Sequence, residues 1–161
     1  MPMLFYKILG AALVAGSGVM LSLYLNRRAS AALQRAEAWA ALIGKIKSEV
    51  ECFSLPISAI LSRVDGDLLI SCGYAAQRAP RTLSELIGKM RWADRETERI
   101  ARGFISDFGQ SYRAEQVGRC AYYLSLMEGR KEELRSELPS KRRLNSTLCL
   151  AGSLGLLILF M

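Results

Sequence analysis

Histidine is absent from all 161 residues. That removes Ser-His-Asp and Cys-His catalysis and every histidine-containing metal site. The four cysteines, Cys52, Cys72, Cys120 and Cys149, show no C-x-x-C spacing, so a zinc or redox motif is not expected. They read instead as small buried hydrophobes. No Walker-type glycine loop and no G-x-G-x-x-G occurs. No run of basic residues interleaved with aromatics marks a nucleic-acid binder, although the net charge is +7. Strand-like alternation is missing too, and LLISCGYAA is the one run that could mislead. Two acids on a helix, Glu96 and Glu98, are ordinarily a solvated face. The chain offers no catalytic residue, no metal ligand set and no cofactor site, and we expect a non-enzyme.

Charge itself is missing near both ends. From Leu144 to Met161 there are 18 residues without a charged side chain, preceded by Lys141, Arg142 and Arg143. A helix of that length covers roughly 27 Å, close to the ~30 Å hydrocarbon core of a bilayer. Ile8 to Leu25 is a second uncharged run of 18 residues, followed by Asn26, Arg27 and Arg28. Phe5 and Tyr6 fit an aromatic belt, and Lys7 can snorkel to the interface. We therefore expect transmembrane helices at residues 4–25 and 144–161. A cleavable signal peptide is the rival reading of the first run, but the best small-residue site, Ala29-Ser30-Ala31, lies beyond two arginines. Cations are retained on cytoplasmic flanks. Arg27, Arg28, Lys141, Arg142 and Arg143 thus orient the chain, with both termini across the membrane and residues 26–143 in the cytoplasm. Ala12 and Gly16, and Thr147, Ala151 and Gly155, have the four-residue spacing of small residues that lets helices approach closely in lipid.

The central segment has length enough for one domain and reads as helical throughout. Ala32, Ala36, Trp39, Ile43, Ile46, Val50 and Phe53 lay one apolar stripe along about six turns. Leu55-Pro56 and Asp65-Gly66-Asp67 punctuate the chain, and a further helix is expected from Leu68 to Arg78. Thr82-Leu83-Ser84-Glu85 has the form of a capping box, and Asp94 can cap the helix carrying Ile100, Phe104, Ile105 and Phe108, which Gly109 ends. The last cytoplasmic helix runs from Ser111 to Leu138, interrupted by Pro139. The fold class is all-α: a membrane-anchored helical bundle whose first and last long helices run antiparallel. Arg63, Asp65, Asp67, Asp107 and Arg113 decorate the turns farthest from the anchors, and form a candidate partner-docking face.

In this setting three segments resemble the stage III sporulation protein AB family of endospore-forming bacteria. Ile46-Lys47-Ser48-Glu49-Val50 through Leu55-Pro56 and Ala59-Ile60-Leu61 resembles the family's E-I-x-Y-x-x-T-P-L-x-x-A-L stretch, with Leu55 where the family has threonine. Phe108-Gly109 followed by Gln116 resembles F-G-x-x-L-G-x-x-x-x-x-Q, without its second glycine. KRRLNSTLCLAGSLGLLILFM resembles the family's basic, glycine-containing terminal span. The resemblance implies a cytoplasmic domain similar to the type II secretion platform protein F. It implies a non-enzymatic subunit of a secretion-like complex in the outer forespore membrane, on the mother-cell side. The expected partners are the ATPase-like stage III sporulation AA protein and other membrane subunits, with no nucleic acid and no small-molecule substrate. The alternative is a membrane-bound helical adaptor or regulator that binds anionic lipid or another signalling partner.

Overall fold

A computed structural model describes residues 2–160 except 54, 77, 110 and 111; the side chains of residues 2–9, 11–15, 154 and 156–160 also lie outside the described set. Among the described residues six helices follow one another: α1 (Pro2–Phe53), α2 (Ile57–Ser62), α3 (Gly66–Cys72), α4 (Leu83–Gly88), α5 (Arg95–Asp107) and α6 (Arg113–Phe160). Among the described residues there is no strand, only one antiparallel bridge between Tyr74 and Met90. The all-α class is as the periodicity predicts. Two compact units emerge, residues 31–134 and residues 1–30 with 135–161.

The 31–134 unit holds the hydrophobic core. Ala36, Trp39, Ile43, Ile46 and Val50 are buried along α1 as expected, and Leu42 and Ala40 join them, so the stripe is wider than a single seam. Phe53 is 64% exposed: it belongs to the last turn of α1, beyond the reach of the core, and is not a core residue. Ile60, Leu61, Leu69, Leu86, Phe104, Cys120 and Met127 fill the space from the other helices. Trp39 stacks on Trp92 with ring centroids 5.7 Å apart.

Local chemistry sets the element ends. Thr82 caps α4 by accepting from the Glu85 amide at 3.1 Å, as the capping box predicts. Glu85 answers one residue further back than expected, accepting from the Arg81 amide at 3.0 Å. Asp65 caps α3. That helix ends at Cys72, not Arg78, because Gly73 takes a left-handed φ of 104° and turns the chain into the bridge. Two bonds make the bridge region, Arg91 N–H to the Gly73 carbonyl at 2.9 Å and Ala75 N–H to the Lys89 carbonyl at 3.1 Å. Gly109, with φ 92°, follows α5 as expected.

Pro139 lies inside α6 and does not interrupt it, contrary to the sequence expectation. The proline forfeits one helical donor, but it sits on an exposed face, where water can satisfy the carbonyl a turn back.

In the other unit, α1 and α6 pair antiparallel through a ladder of polar groups. The Ser22 and Ser146 hydroxyls are 3.4 Å apart. Asn145 Nδ2 donates to Asn26 Oδ1 at 3.3 Å, and Arg142 donates to Ser30 Oγ at 3.0 Å. Gly18 continues the four-residue spacing of Ser22, Asn26 and Ser30: a Cβ there would collide with the Ser153 hydroxyl and lie 3.3 Å from the Cys149 carbonyl. Close approach therefore occurs at Gly18. A Cβ on Gly16 or Gly155, which the small-residue spacing had singled out, would meet nothing within 4 Å, and the Ala12 side chain lies outside the described residues.

The outside of this pair is apolar. Val19, Met20, Leu21, Leu23, Tyr24, Leu144, Leu148 and Leu150 are 51–71% exposed. The usual arrangement of a water-soluble helix pair, apolar within and polar without, is inverted. Among the described residues no helix is long and apolar enough to cross a membrane. Much of the apolar part of both expected spans, 4–25 and 144–161, lies outside the described side chains.

Gly18→Leu is expected to break the ladder's close approach, whereas Gly16→Leu leaves it intact. The measurement is disulfide formation between cysteines placed at Ser22 and Ser146, in a Cys149→Ser background. It should be fast in the parent and in Gly16→Leu, and at least several-fold slower in Gly18→Leu.

Candidate functional site

Where α1 ends and α6 begins, the 31–134 unit opens into a cleft of about 500 Å³. Its walls come from four places in the chain: Leu55, Pro56 and Ile57 after α1, Leu83 and Ser84 at the start of α4, Ile105, Phe108 and Gly109 at the end of α5, and Gln116 in the first turn of α6. Pro56 precedes α2 with an extended backbone, which turns the chain away from the α1 axis. Phe104 packs at a tilt against Phe108, with ring centroids 5.4 Å apart, and meets Tyr123 edge-on at 5.8 Å, so the Phe108 wall is backed by core aromatics. Tyr112, at 90% exposed, stands just before α6.

The expected docking residues divide into two groups. Asp107 and Arg113 belong to the segments around the cleft and are held by polar bonds. Tyr123 Oη donates to Asp107 Oδ2 at 2.6 Å, and Arg119 donates to the Asp107 carbonyl at 3.0 Å, satisfying the end of α5. Burial, then the bond to Asp107, pushes the Tyr123 phenol up to about 12. Arg113 donates from Nε to the Val50 carbonyl at 3.0 Å and from Nη2 to the Glu51 carbonyl. A cation on the last carbonyls of α1 satisfies orphan acceptors and complements the helix dipole. It also ties the segments that supply Leu55 and Gln116 to the cleft.

Arg63, Asp65 and Asp67 occupy the turn between α2 and α3. Arg63 lies 3.4 Å from Glu49, and its carbonyl accepts from Lys45 Nζ at 2.9 Å. Asp65 Oδ1 accepts from the Asp67 amide at 3.2 Å. Among the described residues no hydrogen bond or ion pair joins this turn to Asp107 or Arg113.

Charge elsewhere in the unit is largely self-neutralised. Glu96 pairs with Arg99 at 2.5 Å and Glu98 with Arg102 at 2.8 Å, each an exposed intrahelical pair that solvent largely screens. The cysteines do not behave alike. Cys72 and Cys120 are buried, and burial pushes their thiols up to about 12 and about 11, which makes them inert. Cys52 is exposed and Cys149 half-buried, so the expectation of four buried cysteines holds for two. Among the described residues no cluster of three or more His, Cys, Asp or Glu could hold a metal ion.

The orienting cations, Arg27, Arg28, Lys141, Arg142 and Arg143, are all exposed and all fall in the unit of residues 1–30 and 135–161. The ladder sets Ser30 beside Arg142 and Asn26 beside Asn145, which gathers the five at one level of the helix pair.

Sequence reasoning missed the cleft itself. Its signal was present, because Leu55-Pro56 and Phe108-Gly109 with Gln116 come from the two family-like segments of the central domain, and the fold brings them to a single concavity. Comparison with curated proteins and with solved structures returned no match. Residues 7–161 match the family model of stage III sporulation protein AB, and with nearly its whole length covered the chain belongs to that family.

Proposed function

We propose that the chain is a non-enzymatic membrane subunit of a sporulation-specific, secretion-like complex between mother cell and forespore. In this reading it couples a cytoplasmic secretion-type ATPase to the membrane assembly from the outer forespore membrane. The observation that carries the membrane part is the inverted helix pair, with Ser22, Asn26, Asn145 and Ser146 facing inward and leucines outward. In lipid, where apolar contact supplies no drive for helices to associate, polar and small residues form such seams. Family membership supports the sporulation role. The coupling role rests on the cleft, whose walls mix apolar side chains with exposed polar groups, and the ATPase is its proposed occupant.

The test uses the full chain in detergent with the partner ATPase of the same complex. Parent protein is expected to retain the ATPase on affinity resin. Ile57→Arg and Ile105→Glu, which place charge in the cleft walls, should reduce retention at least ten-fold, while Ile70→Arg on an exposed face should not. No retention by the parent sinks the coupling role, and full retention by the cleft variants moves docking elsewhere.

A further inference from the structure

The distribution of charge assigns a partner to the helix pair. Residues 1–30 and 135–161 hold seven cations against one acid, whereas residues 31–134 hold fifteen against fourteen. Almost the entire net charge of +7 thus belongs to the smaller unit. In the larger unit the cations are balanced in number by acids, and five of its arginines, Arg63, Arg99, Arg102, Arg119 and Arg130, form ion pairs. In the smaller unit the sole acid, Glu137, takes Lys141 at 2.6 Å. Arg27, Arg28, Arg142 and Arg143 form no ion pair among the described residues, and no acid precedes Glu37 or follows Glu137 in the sequence.

The four arginines lie at one level, because the Ser30–Arg142 and Asn26–Asn145 rungs fix the register of α1 against α6 there. One of the four, Arg142, is oriented by its bond to Ser30 Oγ. On one side of this level along both helices lie the exposed side chains of Leu21, Leu23, Tyr24, Leu144 and Leu148. Guanidinium groups bind phosphate oxygens in a planar, bidentate geometry. An apolar surface bordered by a band of unpaired arginines matches the two layers of an anionic leaflet.

We propose that Arg27, Arg28, Arg142 and Arg143 form a headgroup-binding band that selects anionic phospholipid. This rests on the membrane reading above, and adds that the band recognises lipid chemically and does more than orient the chain. Each cation near an anionic surface strengthens binding about five-fold, so three of them together contribute about 100-fold.

The full chain is reconstituted into nanodiscs of phosphatidylcholine with 20% phosphatidylglycerol, and the lipids retained on gentle ejection are counted by native mass spectrometry. Phosphatidylglycerol is expected to be retained in preference to phosphatidylcholine. Arg27→Gln, Arg28→Gln and Arg143→Gln combined should abolish that preference, while lysine at the same three positions keeps most of it. Circular dichroism and the Ser22–Ser146 crosslink show whether the variants keep the helix pair; if the glutamine variant loses it, charge reversal at Arg143 alone replaces it. Insertion without headgroup preference overturns the band and leaves the anchoring reading intact. Failure to insert into either lipid overturns both. Equal retention by the glutamine variant also overturns the band, as does tight binding of a single-stranded oligonucleotide without lipid preference.

Discussion

Asp94→Ala is expected to destabilise the 31–134 unit by about 3 kcal/mol. Two duties meet in this carboxylate. It caps α5, accepting from the Thr97 amide and hydroxyl, each at 2.9 Å. It also holds Arg130 of α6 by a two-pronged bond, 2.9 Å to Oδ1 and 3.1 Å to Oδ2. The side chains of Arg130 and Asp94 are 12% and 19% exposed, so alanine strands a largely desolvated guanidinium. Loss is tempered because Arg130 keeps Glu133 at 2.6 Å. Thr97, at 2% exposed, loses the acceptor for its buried hydroxyl, which adds to the cost. Asp94→Asn should cost less, about 1–2 kcal/mol, because asparagine remains a good cap and only the charge is lost. Urea denaturation of the two variants separates cap from ion pair.

The same residue sets an acid dependence. Burial pushes the Asp94 carboxyl up, but the Arg130 bond and the Thr97 donors outweigh it, and the carboxyl titrates below its usual range. A folded-state pKa below the unfolded one means the contribution is present in full above the unfolded value of about 4. It is lost as pH falls through the folded value. Parent protein should therefore lose stability below about pH 4 more steeply than Asp94→Asn.

Gly73→Ala is expected to cost about 3 kcal/mol as well, for a different reason. The φ of 104° is a conformation that side chains rarely adopt. Added to that, a Cβ would stand 2.6 Å from the Arg91 carbonyl oxygen. That oxygen is backbone, and Arg91 is fixed by its own N–H bond to the Gly73 carbonyl, so the strand-like pair cannot shift without breaking. Thermal unfolding should drop by about 10 °C or more. Gly66→Ala, where a Cβ meets nothing within 4 Å, should change little. An unaltered melting temperature in Gly73→Ala would mean the bridge is not a structural constraint.

Two helix starts and the core faces were legible because they depend on near neighbours. Thr82 and Asp94 each cap through atoms three residues away, so their identities and spacing suffice, whereas Asp65-Gly66-Asp67 read only as a break and its capping role needed the fold. The stripe on α1 was legible for the same reason, up to Phe53, where periodicity continues but the opposing surface does not. Features that depend on distant partners were not. The cleft joins segments from Leu55 to Gln116, and no local spacing announces their meeting. The Tyr74–Met90 bridge is a single backbone pair without side-chain alternation. The small-residue pattern pointed to Gly16 and Gly155, whereas contact falls on Gly18, since four-residue spacing alone cannot choose among parallel rows on a helix. Arg113 and Asp107 were picked out as surface charges, while their bonds to backbone carbonyls and Tyr123 needed the fold.

The stacked Trp39 and Trp92 have a practical consequence. They are the only two tryptophans in the chain, and they touch, so indole emission comes from one place. Trp39 is fully buried and its Nε1–H meets no acceptor among the described residues, an apolar setting that shifts fluorescence to the blue. Arg102 lies 5.9 Å over the Trp92 ring, which couples the same signal to α5. Intrinsic fluorescence is therefore a built-in optical gauge of how α1 seats against the segment before α5. It can be read in detergent or in nanodiscs, with or without a candidate partner, and without a label.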